Sequence, residues 1–287
     1  MTPEMDEATL IKQVDQVFQI ATSGRKGPIC ISIPLDVQGK SCDGNFLRLP
    51  IVSEPEKGKP YCEDMRNAFK ALLESERPLI LLGAGVRISG TEKAALDLIE
   101  QHSIPYIVTI GAVDLQDASH VLSCGCVGPT SQRGANLLFH ESDCVLALGT
   151  SFDQSVTGFN MADLTENKRV FLINIDPGEN LRFNDPRIIQ IEADLIDFFD
   201  AIQTPAFTPT KHFDWLKKVS KVKATLTFES EANIRTTVGQ DHLSAYDITL
   251  ELSKNLPSHA TVVLGISLDA HSVFNSFRVT KGQRILV

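Results

Sequence analysis

The chain has 287 residues, 43% hydrophobic and 22% charged, with 27 Lys+Arg against 36 Asp+Glu and a formal net charge of -9. That composition excludes a disordered chain and supplies enough apolar material for one large or two modest cores without staples. The acidic balance excludes a nucleic-acid backbone or an anionic membrane as the main partner, and leaves anionic small molecules to local sites.

The first residues lack the basic flank and apolar stretch of a secretory signal, and the longest apolar run, Pro78 to Val86, is broken by glycines and too short to cross a bilayer. Six cysteines (Cys30, Cys42, Cys62, Cys124, Cys126, Cys144) show no repeating spacing, so a reducing, cytoplasmic setting is expected. Leu10, Ile11, Val14, Val17, Phe18 and Ala21 share one helical face, and Gly24 stands where a helix C-terminus calls for glycine. Ile29 to Ile33 reads as a short buried strand stopped by Pro34. One helix and one strand do not make a domain, so this opening reads as the end of an α/β unit.

Pro50 to Pro60 is polar and proline-bounded, the composition of a linker. Beyond it helices alternate with short apolar strands. A helix with Met65, Ala68, Phe69 and Leu72 inward precedes the strand Leu79 to Leu82; a helix with Ala94, Ala95, Leu98 and Ile99 precedes Tyr106 to Thr109. A helix near Ala135 to Phe139 follows, then strands Cys144 to Leu148, Val170 to Ile175 and Ile188 to Ile191, and a helix at Leu195 to Ile202. Continuous apolar strands alternating with helices predict an α/β fold: a doubly wound, Rossmann-like parallel sheet covered on both faces, with partial α/β units at either end. Thr204 to Thr210 reads as a second linker. Two helical patterns follow, one with Trp215, Leu216, Val219 and Val222, the other with Ile248, Leu250, Leu252 and Leu256. A new strand then starts at Thr261 to Leu264, and another apolar run closes the chain at Ile285 to Val287.

The loop Leu82-Gly83-Ala84-Gly85-Val86 joins a strand to a helix, where glycine lets backbone amides approach a phosphate. It lacks the third glycine of the dinucleotide fingerprint, since Ile88 stands there, and no acidic residue closes the next strand; ordinary NAD binding is disfavoured. Gly149-Thr150-Ser151-Phe152-Asp153 and Asn174-Ile175-Asp176-Pro177 follow two further strands and converge on the same sheet edge, where open α/β sheets bind ligands. The plain alternative for Asp176-Pro177 is a turn capping the next segment, and for the glycines it is tight packing. Cys124 and Cys126 lack a second pair for zinc and read as small buried hydrophobes; the seven histidines are scattered, and no metal site is expected. A serine-hydrolase elbow and a P-loop are both absent.

The run from Ala21 to Gln38, with Gly24-Arg25-Lys26-Gly27-Pro28 and Ile31-Ser32-Ile33-Pro34-Leu35-Asp36-Val37, resembles the segment that ends the pyrimidine-binding domain of thiamine-diphosphate enzymes of the acetolactate synthase group. The Gly83-x-Gly85 loop, Gly125-Cys126-Val127-Gly128, Ser151 to Gly158 and Ile175-Asp176-Pro177 resemble, in order, motifs of that family's middle domain, and Lys281-Gly282-Gln283-Arg284 the start of its pyrophosphate-binding domain. The resemblance implies three parts: residues 1–50 as the end of the pyrimidine-binding domain, 61–204 as the whole central domain, and 205–287 as linker helices and the start of the next. It implies a carboligase or decarboxylase acting on a 2-keto acid such as pyruvate, with thiamine diphosphate and Mg²⁺ as cofactors and a homo-oligomer, at least a dimer, as the assembly. The family's glutamate and its Gly-Asp-Gly metal motif have no counterpart here, and Asp43-Gly44-Asn45 reads as a turn. No catalytic residue is therefore expected in this chain, which by itself should be inactive.

In FAD-binding members the resemblance places that cofactor against Arg25, Gly83, Gly85, Gly149, Asp153, Asp176 and Asp194. Ser151-Phe152-Asp153-Gln154-Ser155 stands where those members carry Arg-Phe-Asp-Asp-Arg, so two cations are missing and an empty or nucleotide-occupied groove is the stronger expectation. A further departure is Gly265-Ile266-Ser267, where the family has an Asp-x-Gly turn near the diphosphate. These departures keep an alternative open: a noncatalytic nucleotide- or flavin-binding scaffold, or a partner subunit.

Overall fold

The structure, a computed structural model, describes residues 7–39, 62–158, 165–180, 183–203, 212–235, 243–265 and 267–286. The chain divides into two compact units, Met1–Pro60 and Tyr61–Val287. The expected linkers at Pro50 to Pro60 and Thr204 to Thr210, and the turn at Asp43 to Asn45, lie outside the described residues.

In the first unit, helix α1 (Glu7–Thr22) forms where the apolar spacing predicts it, and Gly24 takes a left-handed φ of 53° just past its end, as a helix-terminating glycine does. Ile29 to Ile33 is not a strand. These residues run irregularly into α2 (Leu35–Gln38), with Cys30 and Ser32 exposed. The physical reason is the one raised by the sequence: a segment with no neighbouring strand among the described residues of its unit has no ladder to join there.

The second unit is built on a six-stranded, all-parallel sheet of β1 (Pro78–Leu82), β2 (Tyr106–Val108), β3 (Ser123–Cys126), β4 (Cys144–Leu148), β5 (Arg169–Asn174) and β6 (Ile188–Glu192). Their spatial order is β3-β2-β1-β4-β5-β6. That doubly wound order puts a topological switch point between β1 and β4. The α/β fold is as the alternating pattern predicted.

Strand side chains sort to the two faces by parity. Ile80, Leu82, Leu146, Leu148, Phe171 and Ile173 join one core with Met65, Ala68, Phe69 and Leu72 of α3 (Cys62–Leu73). Leu79, Leu81, Val145, Ala147, Val170 and Leu172 join the other, with Leu138 and Phe139 of α6 (Arg133–Glu141). Burial on both faces explains why these strands read as unbroken apolar runs. Between them lie α4 (Ala84–Ile88), α5 (Glu92–His102) and a 3₁₀ turn (Ile110–Leu115); after β4 come α7 (Gln154–Thr157), α8 (Pro177–Asn180) and α9 (Leu195–Gln203).

The segment beyond residue 212 packs on this sheet layer. On α10 (Phe213–Thr225), Trp215, Val219 and Val222 enter the second core, and the Trp215 indole donates to the Pro78 carbonyl at 2.9 Å. Helix α11 (Phe228–Arg235), which the sequence pattern does not announce, precedes α12 (Ala245–Asn255). On α12 the buried residues are Thr249, Leu250 and Ser253, whereas Ile248 and Leu252 of the helical pattern are exposed. A two-stranded parallel pair, β7 (Thr261–Val263) with β8 (Arg284–Leu286), flanks α13 (Leu268–Ser276), whose Phe274 joins the first core. Among the described residues no helix is long and apolar enough to cross a membrane.

Candidate functional site at the carboxyl edge of the sheet

Six of the predicted residues stand at the carboxyl ends of β1, β4, β5 and β6, where the switch point places a crevice. Arg25, the seventh, belongs to the first unit, exposed in the bend after α1.

Gly83 and Gly85 meet Gly149 backbone to backbone. The Gly83 amide donates to Leu148 O and the Gly85 amide to Gly149 O, both at 2.8 Å. A Cβ on Gly83 would sit 2.3 Å from the Gly149 carbonyl oxygen, and Gly149 itself has a φ of 61°. Only glycine permits that approach. The amides expected to face a phosphate are spent on closing the base of the crevice.

Each aspartate heads a helix or turn. Asp153 Oδ1 accepts from the Ser155 amide at 2.8 Å, Asp176 Oδ1 from the Gly178 amide at 2.8 Å, and Asp194 Oδ1 from the Ile196 amide at 3.0 Å. These are helix N-caps, formed by the carboxylate that leads α7, α8 and α9 in turn. Each takes up an amide that an anion would use and adds negative charge at the same end.

Residues between these positions, not among the candidate site residues, tie the loops together. The Asn174 side-chain amide donates to Thr150 O at 3.0 Å, while its oxygen accepts from the Asp176 amide at 3.0 Å. Phe152, fully buried, has a left-handed φ of 51°, a strained conformation for a bulky residue, and packs edge-on against Phe139 and Phe183. Asn136 clamps Gly128 through both its oxygen and its nitrogen, at 2.9 and 2.8 Å, and a Cβ on Gly128 would meet Ser155 O at 2.2 Å. The one available signal for Asn174 was a polar residue closing an apolar strand.

Several donors that a flavin diphosphate would call on are engaged. The amides of Gly83 and Gly85 and one amide at each of three helix starts are committed, and no Lys or Arg stands in the Gly149 to Asp153 loop. Further along, Asp269 accepts from the Gly265 amide at 2.9 Å and the Ser267 amide at 3.2 Å, and these bonds hold its carboxyl below its usual range. Cys124, Cys126 and Cys144 are buried thiols pushed by that burial up to about 12. Among the described residues no cluster of His, Cys, Asp or Glu could hold a metal ion.

A doubly wound parallel sheet with glycine-packed turns at its carboxyl edge defines the second unit as a Rossmann-like α/β domain. Residues 65–202 match the family described as thiamine pyrophosphate enzyme, central domain. Residues 65–202 are thus similar to the central domain of thiamine pyrophosphate enzymes, and the chain is acetolactate synthase-like. It is 32% identical over 72% of its length to a "Probable acetolactate synthase large subunit" of Methanocaldococcus jannaschii, covering 36% of that protein. It is 28% identical over 79% of its length to the acetolactate synthase large subunit of Lactococcus lactis, covering 40% of it, and 31% identical over 61% to an acetolactate synthase of Arthrospira platensis, covering 31%. The chain thus spans between about a third and two fifths of the length of these curated relatives.

Proposed function

We propose that this chain is the central part of a thiamine-diphosphate-dependent carboligase or decarboxylase that acts on a 2-keto acid such as pyruvate in the cytoplasm, in an assembly of at least two copies. The observation that carries the reading is the match of residues 65–202 to the family's central domain, within relatives named acetolactate synthases. Thiamine diphosphate, held with Mg²⁺, would supply the electron sink for the reacting carbon. In this reading Met1 to Pro50 is the end of the pyrimidine-binding domain and residues 205–287 lead into the pyrophosphate-binding domain.

The part played by this chain's residues is structural: the glycine contacts at Gly83, Gly85 and Gly149 and the caps at Asp153, Asp176 and Asp194 fix the turns at the carboxyl edge of the central domain. The second reading, a nucleotide- or flavin-binding scaffold, calls on amides these turns have already committed. The test is acetolactate formation from pyruvate with added thiamine diphosphate and Mg²⁺. It compares this chain with a reading frame extended on both sides. Turnover by the extended frame alone is expected. An extended frame that leaves pyruvate untouched but copurifies with FAD or an adenine nucleotide would favour the scaffold.

A further inference from the structure

β3 is the edge strand of the sheet, paired only with β2, and residues of α10 and α11 stand across a cleft from it. A cleft of about 180 Å³ runs between Ser123, Cys124 and Gly125 of β3 and Val222, Leu226 and Phe228 of the covering helices. For scale, an apolar cavity of about 150 Å³ accepts benzene.

Most of the wall is apolar, with Leu138 and Cys124 buried behind it, and its charged members are already engaged. Arg278 pairs with Glu229 at 3.1 Å and lies over the Phe228 ring, Arg133 pairs with the buried Glu231 at 3.0 Å, and Lys223 donates to the carbonyls of His120 and Val121 at 2.8 and 2.9 Å. One donor remains. Gln116, 3% exposed and part of the wall, has a buried side-chain nitrogen without a hydrogen-bond partner. A buried donor left unsatisfied costs about 1–3 kcal/mol, so the cleft favours an occupant that brings an acceptor oxygen.

We propose that this cleft is a binding site for a small, largely apolar molecule of about seven non-hydrogen atoms that carries a carboxylate or carbonyl oxygen received by Gln116. The site lies along the side of the sheet, separate from the carboxyl-edge crevice, and includes none of Gly83, Gly85, Gly149, Asp153, Asp176 and Asp194. One wall belongs to the sheet and the other to the segment after it, so an occupant fastens α10 and α11 to β3 and α6.

The test titrates the purified chain with isobutyrate, isobutyramide, benzoate and benzamide, following amide chemical shifts and thermal stability. Saturable binding with a Kd on the order of 1 mM, with shifts at Ser123 to Gly125 and Leu226 to Glu229 and a raised Tm, is expected for ligands of this size. Gln116→Met should weaken binding about tenfold while circular dichroism stays native. Gln116 also borders a second cleft beside Arg87 and Arg284, so Val222→Phe, which fills only the first, separates the two. Binding lost in Val222→Phe supports the assignment; binding that survives it, or that Gln116→Met leaves unchanged, overturns it, as does no saturable binding by any of the four. Binding by the acids alone would make the occupant an anion, and equal binding by the amides a neutral acceptor, each consistent with the site.

Discussion

The Gly85 amide donates to the Gly149 carbonyl at 2.8 Å, and a Cβ added to either glycine would lie 2.7 Å from the Cα of the other. The first turn of the sheet and the turn after β4 are therefore locked by mutual absence of side chains, at the switch point where a ligand crevice would open. Gly149→Ala combines this clash with a left-handed φ of 61°. The two penalties together should cost about 2–4 kcal/mol. Gly85→Ala, with the clash alone, should cost less, about 1–3 kcal/mol. Urea unfolding of the two variants checks the order, and a Gly149→Ala protein as stable as the parent would show that the turns can part freely.

The three aspartates of the carboxyl edge should behave as caps. Changing Asp153, Asp176 or Asp194 to Ala removes an acceptor from a helix-start amide and should cost about 1 kcal/mol each, whereas Asn at the same position should restore most of it. Asp194 heads the nine-residue α9 and should show the clearest effect. The measurement is chemical denaturation of the Ala and Asn pairs. If Ala is silent but nucleotide binding changes, the carboxylates face a ligand after all.

How far the sequence carried this reading depends on what each segment packs against. β4, from Cys144 to Leu148, is buried on both faces and is legible as an unbroken apolar run. β3, Ser-Cys-Gly-Cys, is an edge strand with no β-branched residue, so nothing in its pattern announces a strand. α11, Phe228–Arg235, is missed because its charged residues break up any apolar face: Glu231 is buried and pairs with Arg133. On α12 the helical pattern included Ile248 and Leu252, but the helix buries Thr249 and Ser253 instead, where Thr249 and Ser272 hydroxyls bond at 2.8 Å. At the candidate site the positions of the glycines and aspartates were legible as strand-end loops. The partners of their amides were not, because those belong to turns 64 or more residues away in the chain or to carboxylates that serve a cap and a ligand equally well.

Asp114 ties the segment after the sheet to the sheet layer. Its buried carboxylate accepts from Arg284 Nε of β8 at 2.7 Å and stands 3.2 Å from Arg87 Nη2 of α4. Asp114→Ala removes the shared anion and leaves two guanidinium groups facing each other, a loss of about 3 kcal/mol for a buried pair broken on one side. Arg284→Met should cost less, since Arg284 is 45% exposed and Asp114 keeps Arg87 at 3.2 Å. Thermal unfolding of the two single variants and the double variant should give a coupling of at least 1 kcal/mol, roughly.

Lys168 gives the chain a distinctive alkaline signature. Its ammonium is buried against the carbonyls of Phe139 and His140 at the C-terminal end of α6, where a cation is favoured, and over the Phe139 ring. Burial, with the Arg77 guanidinium nearby, nonetheless pushes it down to about 8 from an ordinary 10.5. Below pH 8 both folded and unfolded chains hold the proton, and the folded state carries the full cost of a buried charge. Between about 8 and 10.5 the unfolded chain binds more protons than the folded one, so stability due to this group rises with pH and levels off above that window. Lys168→Met lacks this contribution. Unfolding free energies measured across pH 7 to about 10.5 should show the parent gaining on the variant as pH rises; a difference that stays flat would place the Lys168 proton at its ordinary affinity.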